Sequence, residues 1–470
     1  MDLQVKLDGQ RDLAGQIYRQ IRAVILTGRL RPGDPVPATR ELARRLGVAR
    51  STVGAAYDRL AGEGFLDSRV GAGTFVSPAV RAEPPDQPTG GALRPRPDWP
   101  VHRVWEHFPA VHAEFDFRAG IPDLRMFPFG SWRRMISAQL RPTAMRSSLY
   151  GETAGVKALR RAIARHVGTS RAVDAHPDNV IVTNGTQQAL DLVARVLLGP
   201  GDCVAVEEPG YPAPWDLFRT LGARVVPVPV DDQGMVVERI PAEARMVYVT
   251  PSHHFPLGVT MSLSRRMALL AWAGERNAAV VEDDYDSEFR FGGRPLESLQ
   301  GMDRAGRVVY VGTFSKTMLP ALRMGFLVAP PSLVPALHHA KFVSDWHSPT
   351  PAQAALAEFI DEGLFARHVR RMRTEYQARQ ETIISSLPAD GVMTPLPSAA
   401  GMHVAVLLPA DVPVDTLPLA RKAWAADVAL HPLSDFYAGA PPRAGLILGY
   451  GGIDRARIPD GLVRLRGVLT

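Results

Sequence analysis

Apolar residues in the first 80 positions recur at helical spacing and then switch to short extended runs. Ile17, Ile21, Val24 and Ile25 share one face of a helix predicted over residues 13–27, with Gly28 as its stop. The turn Arg31-Pro32-Gly33-Asp34 leads to a short helix capped by Thr39, running through Glu41 to Leu46 and broken by Gly47. Ser51 stands early in a third helix that places Val53, Tyr57 and Leu60 together and closes at Gly62 and Gly64. Residues 65–68 and 73–76 read as the strands of a hairpin around Arg69-Val70-Gly71-Ala72. Helix, helix–turn–helix and hairpin in this order predict a winged helix-turn-helix.

The periodicity then stops. Residues 78–100 hold seven prolines and two glycines with little apolar content. Such a linker reaches between about 27 Å as a coil and about 70 Å as extended polyproline. From residue 112 onward, short apolar runs alternate with helical stretches, for example Val180-Ile181-Val182, Val204-Ala205-Val206, Met246-Val247-Tyr248-Val249, Ala279-Val280-Val281 and Val308-Val309-Tyr310-Val311. Buried strands alternating with helices predict a parallel or mixed sheet in a three-layer α/β domain. The expected organisation is a winged helix at 1–77, a linker at 78–111 and a large α/β domain at 112–470.

Composition narrows the class. With 46% hydrophobic and 22% charged residues in 470, the chain is globular, and disordered or fibrous classes are excluded. No run approaches the ~18 apolar residues of a membrane span, and the first residues lack a secretory apolar core. Cys203 is the single cysteine, so no intramolecular disulfide can form and a cytoplasmic location is expected. The net charge of +6 is unevenly placed: residues 1–80 hold 12 Lys and Arg against 8 Asp and Glu, leaving +2 for the other 390. A small basic module joined to a nearly neutral one points to a polyanion as the partner of the former.

A helix entering a major groove needs short polar and basic side chains at its start, where base edges and phosphates lie nearest. Arg50-Ser51-Thr52 supplies them for the second helix of the turn, and Thr39-Arg40 for the first, which crosses the backbone. Gly73 and Thr74, at the hairpin tip, are small enough for close approach to a phosphate or the minor groove. The plain alternatives are an Arg40–Glu41 surface pair and a Ser51 that only caps its helix.

The large segment carries a second chemistry. Pyridoxal phosphate demands an amine for a Schiff base, a carboxylate on its ring nitrogen, a partner for O3′ and an anion cradle for its phosphate. Lysine is scarce, with five against 49 arginines, yet Lys316 stands just after the run 308–312. At a strand's carboxyl end it would project into the ligand crevice of an α/β sheet. Upstream, a strand over 278–281 ends in Glu282-Asp283-Asp284-Tyr285, where Asp283 can face a ring nitrogen and Tyr285 can reach O3′. Asn184-Gly185-Thr186-Gln187 follows another strand and opens a helix over 188–198, a start whose N–H groups and dipole suit a phosphate. Tyr211 can stack on a ring, and Arg323 can add charge to the cradle. Taken singly, these residues are also a surface lysine, an acidic metal site or loop end, and an ordinary helix cap.

Two resemblances join these readings. Residues 13–77, "IYRQIRAVILTGRLRPGDPVPATRELARRLGVARSTVGAAYDRLAGEGFLDSRVGAGTFVS", resemble a GntR-type winged-helix domain. From about 113 to the end, "YGETAGVKALRRAIARHV", "VTNGTQQALDLVARVLL", "EEPGYP", "EDDYDSEFR" and "GTFSKTMLPALRMGF" resemble a fold-type I aminotransferase. The whole chain is similar to MocR/GabR-type transcriptional regulators. That resemblance implies pyridoxal 5′-phosphate held by Lys316, with Asp283 on the pyridine nitrogen and Tyr285 on O3′. It implies Gly185, Thr186, Gln187, Ser315 and Arg323 around the phosphate, Tyr211 against the ring, and Tyr150 toward the phosphate of a partner subunit. It further implies a head-to-tail homodimer, operator DNA with paired half-sites, and pyridoxal phosphate or an amine as effector.

The pattern departs in three places. The arginine that fixes a substrate carboxylate in aminotransferases is missing from the strand 445–450, and Arg443 lies just before it. Phe255 stands where an asparagine beside O3′ is usual, with His253 and His254 as candidates to compensate, and Ala213 stands where γ-aminobutyrate sensors carry a basic residue. These departures weaken both transamination and γ-aminobutyrate sensing, and leave pyridoxal phosphate itself or another amine as the effector. A working aminotransferase with an attached DNA-binding domain, and a regulator without the cofactor, remain the alternatives.

Overall fold

The computed structural model describes residues 5–9, 11–69, 72–80, 99, 113–145, 150–291, 296–388, 390–439 and 442–469. The chain divides into two compact units, Met1–Trp99 and Pro100–Thr470. Most of the expected linker lies outside the described residues, as do positions 70 and 71 of the hairpin tip.

The small unit is built from α1 (Leu13–Leu26), β1 (Pro35–Val36), α2 (Thr39–Leu46), α3 (Arg50–Gly62), β2 (Leu66–Arg69) and β3 (Gly73–Val76). Ile17, Ile21 and Ile25 of α1 meet Leu42 of α2 and Val53, Tyr57 and Leu60 of α3 in one core. Tyr18 is buried with them, whereas Val24, expected on that face, is half-buried at its rim. Thr39 is the first helical residue of α2, not its cap; that position belongs to Ala38. β2 and β3 pair as the expected antiparallel hairpin, and β1 adds a third strand on the other edge of β3. Two residues cannot announce a strand by periodicity, so β1 was not legible in the sequence.

The large unit opens with β4 (Phe115–Asp116). Its main sheet holds β5 (Val180–Thr183), β6 (Cys203–Glu208), β7 (Arg224–Asp231), β8 (Gly234–Met235), β9 (Ala244–Val249), β10 (Ala279–Asp284), β11 (Val308–Thr313) and β12 (Gly325–Val328). The strand order is β5-β12-β11-β10-β9-β6-β7-β8. Pairings from β7 through β11 are parallel, while β12 is antiparallel to both its neighbours and β8 to β7. Alternate residues feed two faces: Val204 and Val206 pack with Leu190 and Val193 of the helix Thr186–Leu197, and Ala205 with Leu269 and Ala273 of the helix Leu263–Arg276. Both faces are covered, so these strands read as continuous apolar runs.

A smaller sheet completes the unit, formed by β13 (Thr394–Pro395), β14 (His403–Leu407), β16 (His431–Pro432) and β17 (Gly445–Gly449), while β15 (Val428–Ala429) pairs with β4. Its core brings Val404, Val406, Leu446 and Leu448 against Met372, Tyr376 and Ile383 of the helix Leu364–Ser386. Two sequence boundaries shift. β10 extends three residues beyond the expected end and includes Glu282, Asp283 and Asp284; the helix expected at 188 starts at Thr186.

Candidate functional site

The carboxyl ends of β10 and β11 and the start of the helix Thr186–Leu197 open on one cavity of about 280 Å³. Its wall brings together Lys316, Asp283, Tyr285, Thr186, Gln187, Tyr211, Ser315 and Arg323. The remaining wall includes Phe255, Met402, His403, His431, Asp435 and Phe436. The only guanidinium among the described lining residues is that of Arg323.

Strand alternation sorts the acids of β10. Asp284 points to the opposite face, where its carboxylate accepts from Arg171 Nε at 2.7 Å and from the Tyr310 hydroxyl at 2.7 Å. Glu282 accepts from the backbone N–H groups of Leu299 and Gln300 at 3.0 and 2.9 Å. Asp283 faces the cavity. Its Oδ2 accepts from the Tyr248 hydroxyl at 2.7 Å, and its Oδ1 is buried with no hydrogen-bond partner. Burial pushes the Asp283 carboxyl up to about 7, against the opposing pull of the Tyr248 hydrogen bond. A buried acceptor without a donor is costly, and a cationic N–H arriving from the cavity would relieve it.

Lys316 leaves β11 through Thr313-Phe314-Ser315, and its Nζ donates to the Gly120 carbonyl at 2.9 Å. Burial lowers its pKa, with Asp286 and Asp283 pulling the other way. A desolvated amine of this kind is more readily deprotonated and so more nucleophilic.

The expected anion cradle is a helix start. Gly185, at φ 80°, is the N-cap residue of the helix Thr186–Leu197. Its backbone requires glycine, and a Cβ there would sit 2.8 Å from the mobile end of the Arg323 side chain. Arg323 also donates to the Asn184 carbonyl at 3.1 Å. Behind the turn, the Asn184 and Gln188 side chains donate to Asp345 at 2.7 and 2.8 Å, and Asp345 is held by the fully buried Lys341 at 2.6 Å. This support was missed in the sequence, since Asn184 and Asp345 lie 161 residues apart.

Tyr150 is not brought into the cavity. It is 71% exposed and stacks on Trp346 with ring centroids 4.8 Å apart. Phe255 stands in the wall and meets Tyr211, Tyr285 and Phe436 edge-on at 5.8, 6.0 and 5.0 Å. Arg443 is exposed and does not line the cavity.

In the small unit, Arg50 Nε donates to the Thr39 hydroxyl at 3.4 Å, joining the starts of α2 and α3. Arg40, Arg50, Ser51 and Gly73 are exposed, and Thr52 and Thr74 half-buried. Glu41 pairs with Arg45 rather than with Arg40, and the cap position of α3 is Ala49 rather than Ser51. Tyr57 fixes α3 by donating to the Pro37 carbonyl at 2.8 Å.

A winged helix followed by a three-layer α/β domain with this cavity defines a class of two-part proteins, a DNA-binding head with an aminotransferase-like body. The family models agree: residues 13–76 match the bacterial regulatory proteins of the gntR family, and residues 128–444 match aminotransferase class I and II. The chain is 39% identical over 464 residues to the probable rhizopine catabolism regulatory protein MocR of Rhizobium meliloti, covering 96% of this chain and 92% of that one. It is 31% identical over 440 residues to the pyridoxine biosynthesis transcriptional regulator PdxR of Corynebacterium glutamicum, covering 93% and 92%. Among solved structures, the α-aminoadipate aminotransferase LysN of Thermus thermophilus, complexed with N-(5′-phosphopyridoxyl)-L-leucine, matches with a TM-score of 0.71 and 30% identity, over 79% of this chain and 95% of that one. The chain belongs to the MocR-type transcriptional regulators, in which a gntR-family helix-turn-helix domain is joined to a fold-type I aminotransferase domain. Among the described residues no helix is long and apolar enough to cross a membrane.

Proposed function

We propose that the large unit binds pyridoxal 5′-phosphate at Lys316 and that this occupancy, or an amine reacting there, sets how the protein engages operator DNA. The observation that carries the reading is the buried, unpartnered Asp283 Oδ1 in the wall that also presents the Lys316 amine. The cofactor supplies an aldehyde that condenses with amines and a ring nitrogen that draws electrons when protonated.

The chain's own groups have distinct tasks in this reading. Lys316 offers the amine. Asp283, oriented by Tyr248, holds the proton on the ring nitrogen. Gly185, Thr186 and Gln187 present the helix start to the phosphate, and Ser315 and Arg323 complete the cradle. Tyr285 donates toward O3′, and Tyr211 lies against the ring. Tyr150 serves the partner's site across a homodimer, which also sets two DNA-binding heads on paired half-sites, with Thr39, Arg40, Arg50, Ser51, Thr52, Gly73 and Thr74 at the DNA. The sequence departures favour sensing over turnover: the strand 445–450 carries no arginine to fix a substrate carboxylate, and Arg443 is not among the residues lining the cavity. The names of the relatives, regulators of rhizopine catabolism and pyridoxine biosynthesis, are consistent with an amine or the cofactor itself as effector.

Borohydride reduction of protein incubated with pyridoxal phosphate, followed by peptide mass mapping, tests the assignment. A pyridoxyl group fixed on the Lys316 peptide is expected. A label spread over Lys6, Lys157, Lys341 and Lys422, or absent, would refute it.

A further inference from the structure

The wall beside Tyr285 holds a hydrogen-bonded set that the cofactor reading leaves unused. His253 Nδ1 lies 3.1 and 3.0 Å from the two carboxylate oxygens of Asp286 and 2.9 Å from the Tyr285 hydroxyl oxygen. Its Nε2 lies 3.1 Å from the Ser398 oxygen. His253 and Asp286 are 2% and 1% exposed. Gly401, at φ 91°, backs the ring so closely that a Cβ there would overlap it, and a Cβ on Gly258 would lie 3.4 Å from Nε2. The other groups around the pair are the His403 ring, 4.9 Å away between centroids, and Lys316, Asp283, Asp284 and Tyr450, whose fields couple to Asp286. His254 is occupied elsewhere, bonding the Pro209 carbonyl at 3.0 Å.

The protons of this set can be counted. The Ser398 hydroxyl donates to the Ala400 carbonyl at 3.0 Å, so toward His253 its oxygen accepts and Nε2 carries a proton. Burial works against the Asp286 charge while His253 and Lys316 favour it; beside an ionised Asp286, which only accepts, Nδ1 carries a proton as well. The Tyr285 oxygen, beside that same N–H, is on the receiving side, and its own hydrogen is free to point elsewhere.

We propose that His253 is a positioning residue: held by Asp286 and Ser398, it donates to the Tyr285 oxygen and so commits the Tyr285 O–H to donate into the cavity. This rests on the cofactor reading, in which the acceptor met there is the 3-oxygen of the pyridine ring. His253 then does, through Tyr285, what a side chain at position 255 does not, since Phe255 has no polar atom. A donor on an oxygen anion favours its deprotonated form, so the set lowers the pH at which the proton held at that oxygen leaves.

The test uses the full-length protein loaded with pyridoxal phosphate and its visible absorbance as a function of pH. Tyr285→Phe is expected to move the midpoint upward by about one unit, a tenfold change in proton affinity. His253→Phe should move it in the same direction, and the double variant no further than Tyr285→Phe alone. Asp286→Asn keeps the ring in its slot but removes the negative charge that holds the second proton, leaving Nε2–H on Ser398 and a bare Nδ1, and should give the same shift should His253→Phe not fold. Without cofactor, ¹⁵N NMR of histidine-labelled protein should show both His253 nitrogens protonated in the wild type and one in Asp286→Asn. A midpoint unmoved by His253→Phe and Asp286→Asn but moved by Tyr285→Phe, or a bare Nδ1 in the wild type, would overturn the proposal. Failure of the cofactor reading would show separately, as no visible band in any variant, with the NMR arm still deciding the role of His253.

Discussion

Glu282, Asp283, Asp284 and Asp286 stand within five positions, and each meets a different surrounding: backbone N–H groups, the cavity, the Arg171 guanidinium and the His253 imidazole. The spacing Asp283-x-Tyr285 downstream of an apolar run made Asp283 legible. Its orienting partner was not, because Tyr248 lies 35 residues upstream, inside an apolar run that reads as core. Tyr248→Phe removes the donor that opposes burial of the Asp283 charge. Losing a hydrogen bond to a charged group costs about 1.5–3 kcal/mol, so pyridoxal phosphate affinity should fall roughly tenfold or more in an absorbance titration. An unchanged affinity would remove Tyr248 from the site.

Glu207 gives a second prediction at this scale. It is buried, accepts from the Thr250 N–H and hydroxyl at 2.9 and 2.7 Å, and burial pushes its carboxyl up to about 8. The folded chain therefore keeps a proton that the unfolded chain, with an ordinary carboxyl pKa, releases. Stability contributed by this group falls as pH rises between the two values. Glu207→Gln has no proton to lose, so between about pH 5 and 8 its thermal midpoint should fall less steeply than the wild type's. Parallel curves would show that Glu207 is already ionised in the fold.

At the scale of elements, the apolar runs that became β5, β6, β9, β10 and β11 were legible as strands though their ends were not, and β1, β7, β12 and β14 were not read. β10 runs on through three acidic residues because each finds a partner or faces the cavity, and carboxylates read as a loop end by composition alone. The helix start at Gly185-Thr186 was legible as a Gly-Thr turn after a strand; its support by Asp345 and Lys341 was not, because pairing across helices leaves no periodic trace. In the small unit the reverse holds. Helical spacing predicted the core of α1, α2 and α3, and the exposed starts of α2 and α3 follow from that core. Arg50 stands at the start of α3 with its guanidinium exposed apart from one long contact to Thr39. Arg50→Ala should weaken binding to a DNA fragment selected for high affinity by ~1–3 kcal/mol and alter sequence preference if it reads a base. A uniform loss on all sequences would assign it to phosphate.

For the whole molecule, the charge asymmetry visible in the sequence coincides with the division into units: the helix-turn-helix part holds +4 of the +6 within residues 1–80. The family match spans both units. In the proposed function the body contributes a coupling free energy, and coupling is reciprocal: if cofactor occupancy changes DNA affinity, DNA changes cofactor affinity by the same factor. The most direct measurement is DNA affinity by fluorescence anisotropy, with and without saturating pyridoxal phosphate, for the wild type and Lys316→Ala on a selected fragment at fixed salt. The wild-type affinity should change by a factor of roughly 5–150 and that of Lys316→Ala should not. A wild-type affinity indifferent to pyridoxal phosphate, or an equal response in Lys316→Ala, would contradict the account.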